Sequence, residues 1–275
     1  PLPVSHMGVT FGTDGKAVIS WKETEDPVEP TAKASGFILY TRIDDGGFDT
    51  GRKIDPARGK DGKYHTEVDI KPGKIYSFRI AACNKGGEAF PSETLSIGLP
   101  SKSISERKVL IVNNFDRVSG PAFIDTPEYA GFQNSQDSGV PHINDIAYIG
   151  QMYQFRRDME FITNDNPGFG GSHTDMAGEI IAGNTFDYPY IHGKAVLEAG
   201  YPFYSCSNET FCSDTTFRKA AWAADIICGK QVTTVKGNGR TDYTVFTEEM
   251  QDAITSFTQD GGNVLVSGSY IATDR

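Results

Sequence analysis

Two histidines and three acids lie within GSHTDMAGEIIAGNTFDYPYIHG, residues 171–193: His173, Asp175, Glu179, Asp187 and His192, with Tyr188 and Tyr190 between them. Histidine titrates nearest to neutrality, so a His beside a carboxylate is ready-made for moving a proton. Further along, Ser267-Gly268-Ser269 closes an apolar run. A serine on such a turn can act as a nucleophile if a histidine comes within hydrogen-bond reach and backbone N–H groups receive the oxyanion. Ser269 is the candidate, with His173 or His192 as its base. SGSYI lacks the second glycine of G-x-S-x-G, so an ordinary turn also explains it.

Polysaccharide cleavage needs the same residue types. Glycoside hydrolysis uses paired carboxylates, and elimination at a uronic acid uses a His or Tyr base with a group that neutralises the carboxylate. Asp175, Glu179, Asp187, Tyr188, Tyr190 and His192 contain both sets, and are equally ordinary on a loop-rich edge. Phe169, Phe186, Tyr188, Tyr190, Tyr201 and Tyr204 are candidates for a sugar-stacking surface, with core packing as the plainer role. His173 and Asp175 stand two apart, a spacing for a loop or strand, and no HExxH or similar motif is present, so no metal is expected. NPGFGG lacks the Lys-Ser/Thr ending of a phosphate loop. No cofactor is expected.

The elements that must carry these residues fall into two patterns. From residue 1 to about 100, short alternating segments (KAVISW, GFILYTRI, YHTEVDI, KIYSFRIAACN) are separated by TDG, DDGG, GKDG and KPG turns, the pattern of a β-sandwich. GLPSKSISERK, residues 98–108, then marks a boundary. Beyond it, apolar runs alternate with helical spacing: KVLIVNNFD, then IHGKAVLEAG ending at Gly200, YPFYSCSN, TFRKAAWAA, DIICGKQ, TEEMQDAITSFTQDGG with a Thr cap, and NVLVSGSY. This order predicts an α/β three-layer domain with a mainly parallel sheet. A capped helix at MAGEII, entered through Ser172 or Thr174, and a strand at NTFDYP complete the expectation.

Composition narrows the function. A net charge of -10 and a pI near 5.0 lack the basic face that nucleic acid requires. No apolar run nears the roughly 20 residues of a membrane-spanning helix, and PLPVSHMGV does not resemble a signal peptide. Cys83 and Cys228 sit in apolar runs and read as small buried hydrophobes. Cys206 and Cys212, in CSNETFC, are spaced either to close a short disulfide loop or to remain free thiols.

Pro3, Trp21, Tyr40 and IKPGKIYSFRIAACNKGGEAFPSE together resemble a fibronectin type III domain, with Tyr76 after the Pro-Gly turn at the tyrosine-corner position. The resemblance implies such a sandwich over residues 1–101, with Trp21 and Tyr76 in its core. The succession AADIICGKQ, TEEMQDAI and DGGNVLVSGSY is similar to the class I glutamine-amidotransferase-like fold, implying that residues 107–275 form that domain, either as a small version of it or as one cut short at its C-terminus. In that family the nucleophile at the elbow is Cys where this chain has Ser269. The whole order, with NDNPGFGGSHTDMAGEIIAGNTFDYPYIHGKAVLEAGYPFYSCS, resembles a module of secreted bacterial envelope proteins described as xanthan lyase-like. The resemblance implies a secreted, periplasmic or cell-surface protein active on polysaccharide or cell wall as a lyase or hydrolase. Its partners would be polysaccharide or peptidoglycan and other domains of a longer chain. The alternative is a non-catalytic interaction or scaffold module. The expected site residues are His173, Asp175, Asp187, His192 and Ser269.

Overall fold

Asp14 and Gly15 adopt positive φ, 55° and 73°, and Gly12 N–H donates to the Lys16 carbonyl at 2.9 Å. Positive φ at both turn residues gives the twist that joins adjacent antiparallel strands, here β1 (Ser5–Phe11) and β2 (Lys16–Lys22). The strands that follow are β3 (Gly36–Ile43), β4 (Arg52–Ile54), β5 (Tyr64–Asp69), β6 (Lys74–Asn84), β7 (Gly87–Glu88) and β8 (Leu95–Leu99). A computed structural model describes residues 1–26, 28–102, 104–115, 127, 187–229, 231, 244–268 and 270–272. It also gives the strand pairing of 123–125, 129–132, 153–156, 172–175, 234–235 and 241–242.

The antiparallel order β1-β2-β5 faces β4-β3-β6-β8, with β7 folded onto β6, so the N-terminal region is the antiparallel sandwich that its turn spacing predicts. Alternation explains the core: Ala17, Ile19 and Trp21 of β2 point inward against Phe78, Ile80 and Ala82 of β6. Trp21, Phe37 and Tyr64 form a ring cluster with centroids 4.7 to 6.1 Å apart, each pair adding about 0.5–1.5 kcal/mol beyond its buried area. Trp21 and Tyr76 are core residues.

After β9 (Val109–Asn113) the chain enters a separate unit, Arg117–Asp187. This unit contains a four-stranded antiparallel sheet, β10 (Phe123–Asp125), β11 (Tyr129–Phe132), β12 (Tyr153–Arg156) and β13 (Ser172–Asp175), in that spatial order. Ser172–Asp175 is thus strand, which corrects the reading of Ser172 or Thr174 as a helix cap. The expected helix at MAGEII lies outside the described residues.

The remaining elements belong to the same unit as the sandwich. They are α1 (Tyr188–Glu198), β14 (Phe203–Ser207), α2 (Asn208–Ser213), α3 (Thr215–Lys219), β15 (Ala223–Ile227), the short ribbon β16 (Thr234–Val235) and β17 (Thr241–Asp242), α4 (Glu248–Gln259) and β18 (Asn263–Ser267). Tyr188 and Pro189 are helical, so the strand expected at NTFDYP does not extend through them; a proline in the first turn loses no hydrogen bond the helix could have made. The helix expected over TFRKAAWAA stops at Lys219, because Trp222 N–H bonds the Lys108 carbonyl and Ala223 enters the sheet. Thr247 caps α4 by accepting from Met250 N–H at 3.2 Å, as its sequence predicts.

Four strands run parallel in the order β14-β9-β15-β18, the second, first, third and fourth of this region in the chain. Helix α1 packs on one face, with α2 and α4 on the other, as right-handed crossovers require when the first connection runs one way and the next two the other. The sheet does not stop at β14. Its outer edge pairs antiparallel with β8 at Phe203↔Gly98 and with β1 at Gly8↔Cys206 and Val9↔Ser205. Strand β14 therefore closes the open edge of the sandwich. Ser205 Oγ donates to the Ser96 carbonyl and accepts from Ser96 N–H, both at 2.7 Å, and Lys63 Nζ meets Asp214 Oδ2 at 2.9 Å.

Helix α1 and Phe48, whose ring centroid lies 3.9 Å from the Arg79 guanidinium, together explain why β6 is buried on both faces. Arg42, Ser77, Arg79, Thr94 and Ser96 lie on the outer face of the sandwich sheet yet are buried, with the Arg42 guanidinium 4.9 Å from the Tyr190 ring centroid.

Candidate functional site

Parallel register turns the sheet into rows. Ser205, Ile111, Asp225 and Leu265 form one row, and Ser207, Asn113, Ile227 and Ser267 the row at the carboxyl ends. Leu110, Val112, Ala224 and Ile226 alternate with these and point toward Met250, Ala253 and Phe257. The Asp225 row consequently faces α1.

Its central contact joins His192 to Asp225. His192 Nδ1 lies 2.7 Å from Asp225 Oδ2; the carboxylate side chain is 9% exposed and the imidazole 28%. A carboxylate can only accept, so Nδ1 is the donor of this bond and Nε2 is the ring nitrogen left for chemistry. Among the described residues Nε2 has no hydrogen-bond partner. Asp225 Oδ1 is buried and has no partner among the described residues either, so His192 is the described hydrogen-bond donor to this carboxylate. Tyr188, one turn before His192, stands edge-on to it at 6.3 Å and edge-on to Phe115 at 5.4 Å, walling one side of the ring. Leu265, in the Asp225 row, is 62% exposed, so the described residues leave the β18 side open.

Asn113 stands in the next row, roughly 8 Å from Asp225 by strand spacing and rise. Its Nδ2 donates to Glu93 Oε2 at 2.7 Å, bridging the carboxyl end of β14, and its Oδ1 is buried without a partner among the described residues. Burial, with the Glu209 carboxylate nearby and against the Asn113 bond, pushes the Glu93 carboxyl up to about 8. Asn114 N–H bonds the Ile227 carbonyl at 2.8 Å, and its Nδ2 reaches the Val245 carbonyl at 3.3 Å and Cys228 Sγ at 3.5 Å. These residues mark where chain order reverses across β9 and β15, the position where doubly wound sheets hold ligands.

Of the sequence-derived candidates, His192 has a described partner. Asp187 is buried directly before α1. His173 and Asp175 lie on β13 in the Arg117–Asp187 unit, and Ser269 lies outside the described residues. Next to Ser269, Gly268 is packed so closely that a Cβ would approach Cys228 Cβ to 2.8 Å. Asp225 was missed by sequence reasoning, although an aspartate inside AADII is a charge in a buried strand and demands a partner. Among the described residues no group of three or more His, Cys, Asp or Glu side chains gathers as a metal site would. Of the aromatics, Tyr204 is core, Tyr188 packs on Phe115, and Tyr201 stacks on Trp222; Phe169 and Phe186 lie outside the described residues.

All four cysteines are free thiols. Cys206 faces the core from β14, and burial raises its thiol; burial likewise pushes Cys212 up to about 11, which keeps both protonated and unreactive.

Solved structures similar to part of this chain include the FN5 domain of Drosophila Lar, 19% identical over 36% of this chain and 97% of that chain, with a TM-score of 0.27. A second is the third fibronectin III domain of the human KIAA0343 protein, 17% identical over 37% and 84%, with a TM-score of 0.28. A third, described as a myokine structure, is 21% identical over 36% and 98%, with a TM-score of 0.28. No family model matches the chain. No curated protein matches it. The fibronectin type III-like character of the N-terminal sandwich rests on the strand order itself, three strands facing four.

Proposed function

We propose that this chain is an extracytoplasmic, xanthan lyase-like protein that associates with polysaccharide or cell wall, and that His192 and Asp225 form its proton-transfer pair on an amidotransferase-like sheet. The supporting observation is the 2.7 Å bond from Nδ1 to a buried carboxylate, with Nε2 turned to a partly open face. In an elimination, Nε2 takes the proton from the carbon beside a uronate carboxyl, the freed electron pair forms a double bond to the neighbouring carbon as that carbon's C–O bond to the next sugar breaks, and the imidazolium gives the proton to the leaving oxygen. Asp225 stabilises the imidazolium formed on the way. Proton transfer by a positioned side chain contributes about 10²–10⁴-fold.

The test is incubation with a panel of anionic polysaccharides and peptidoglycan, read as retention in pull-down and as new reducing ends or unsaturated products. The wild type should cleave at least one polymer, and His192→Ala should lose at least about 10²-fold of that rate while Asp225→Asn loses less. A wild type that neither binds nor cleaves any of them refutes the reading.

One observation favours the second reading, a non-catalytic scaffold. The sandwich and the parallel strands share one continuous sheet, which gives the rigidity a platform needs. Binding without cleavage, unaffected by His192→Ala, would establish it.

A further inference from the structure

Opposite the carboxyl ends of the sheet, where β15 and β18 begin, lies a groove of about 480 Å³ between the ends of α3 and α4, lined by Thr215, Lys219, Trp222, Phe257 and Asp260 among others. Trp222 is 38% exposed. Its ring stacks on Tyr201 at 5.9 Å and 14°, and the exposed Arg107 guanidinium lies 5.2 Å from its centroid. Tyrosine and arginine thus hold the indole at the rim without burying it.

At Gly262 an added Cβ would come within 2.6 Å of Phe257 Cδ1, so this part of the wall is bare backbone.

The charge of the groove runs against that of the molecule. The chain carries -10, yet Lys219 and Arg218 line the groove against the single lining carboxylate of Asp260, with Arg107 beside it over the Trp222 ring. Arg218 is buried and donates to the carbonyls of Phe211 and Cys212, so it supplies fixed charge to the floor. Lys219 Nζ and Asp260 Oδ2 stand 4.0 Å apart with side chains 63% and 55% exposed, too loose and too wet a pair to neutralise either. An apolar platform, a cationic rim, and hydroxyl and carboxylate acceptors beside it match one ligand chemistry: a pyranose ring with an apolar C–H face, hydroxyl donors and a carboxylate.

We propose that the groove beside Trp222 binds an anionic saccharide, its ring against the part of the indole that Tyr201 and Arg107 leave exposed, its carboxylate toward Lys219, and its hydroxyls toward Asp260 and Thr215. The choice of a sugar rests on the carbohydrate reading above; the site is separate from the His192 pair.

The chain has two tryptophans, and Trp21 is fully buried in the sandwich core, so changes in tryptophan emission on titration report on Trp222. Tetragalacturonate should quench or shift that emission, with the effect weakening as salt rises, whereas neutral cellotetraose should bind about tenfold more weakly or not at all. Lys219→Glu should weaken tetragalacturonate binding by about tenfold, and calorimetry on Trp222→Phe, which keeps a ring on Tyr201, should show a comparable loss. His192→Ala should leave the titration unchanged. No emission change and no heat with tetragalacturonate overturns the groove while leaving polymer cleavage at His192 as a separate result. An equal response to polyglutamate overturns the sugar assignment and points to an acidic peptide.

Discussion

Replacing Glu93 with Gln tests whether the joint between sandwich and parallel sheet holds a carboxyl group out of water. The carboxyl accepts from Asn113 Nδ2 at 2.7 Å across the end of β14, and Glu93→Gln preserves that acceptor while removing the titration. In the folded protein the group is pushed up from an ordinary 4.5 to about 8, first by burial and then by Glu209. The folded state therefore binds the proton more tightly than the unfolded chain, and stability falls as pH rises from about 4.5 toward 8, then levels off. At about 1.4 kcal/mol per tenfold change in proton activity, the loss has an upper bound of about 5 kcal/mol. Glu93 as a whole is only half-buried, and at the higher effective dielectric of such a site the expected loss is about 1–3 kcal/mol. Urea unfolding at about pH 4 and about pH 9 should show Glu93→Gln close to the wild type at the lower pH and more stable by that amount at the higher. Glu209→Gln should recover part of the same gain. A difference between Glu93→Gln and wild type that is identical at both pH values would refute the argument.

Two further substitutions test the packing that positions the site. Ser205→Ala leaves the buried Ser96 N–H and carbonyl without their side-chain partner and should cost about 1–3 kcal/mol in urea unfolding; because β14 belongs to both parts, Trp21 fluorescence and helical circular dichroism should shift together, and separate transitions would contradict the continuous sheet. Gly193→Ala places a methyl group against the Phe203 ring, which has no exposed surface to move into, and should destabilise by about 1–3 kcal/mol; an unchanged urea midpoint would mean that α1 does not sit that close to the sheet.

Local chemistry was legible in the sequence wherever neighbours in the chain decide the outcome. Asp14-Gly15 specifies its hairpin because only a few residues tolerate positive φ, and Thr247 with its two following acids specifies the start of α4 because a helix leaves its first N–H groups unpaired. The alternation of KAVISW likewise identifies Ala17, Ile19 and Trp21 as inward-facing, since strand side chains repeat every second residue.

Tertiary structure decided what depends on residues distant in sequence. TFRKAAWAA has helical spacing throughout, but Trp222 N–H found the Lys108 carbonyl and the helix ended at Lys219. His192 was visible as a candidate; its partner was not, because Asp225 is 33 residues away and only the sheet register and the position of α1 bring the two to 2.7 Å. The same holds for Glu93 and Asn113, 20 residues apart and joined over a strand that lies between theirs. Residues 98–108 read as a boundary because Gly, Pro and Ser mark domain junctions and tight turns alike; whether the strands on either side enter one sheet depends on which edges remain unpaired, and β14 took the edge that the sandwich left open.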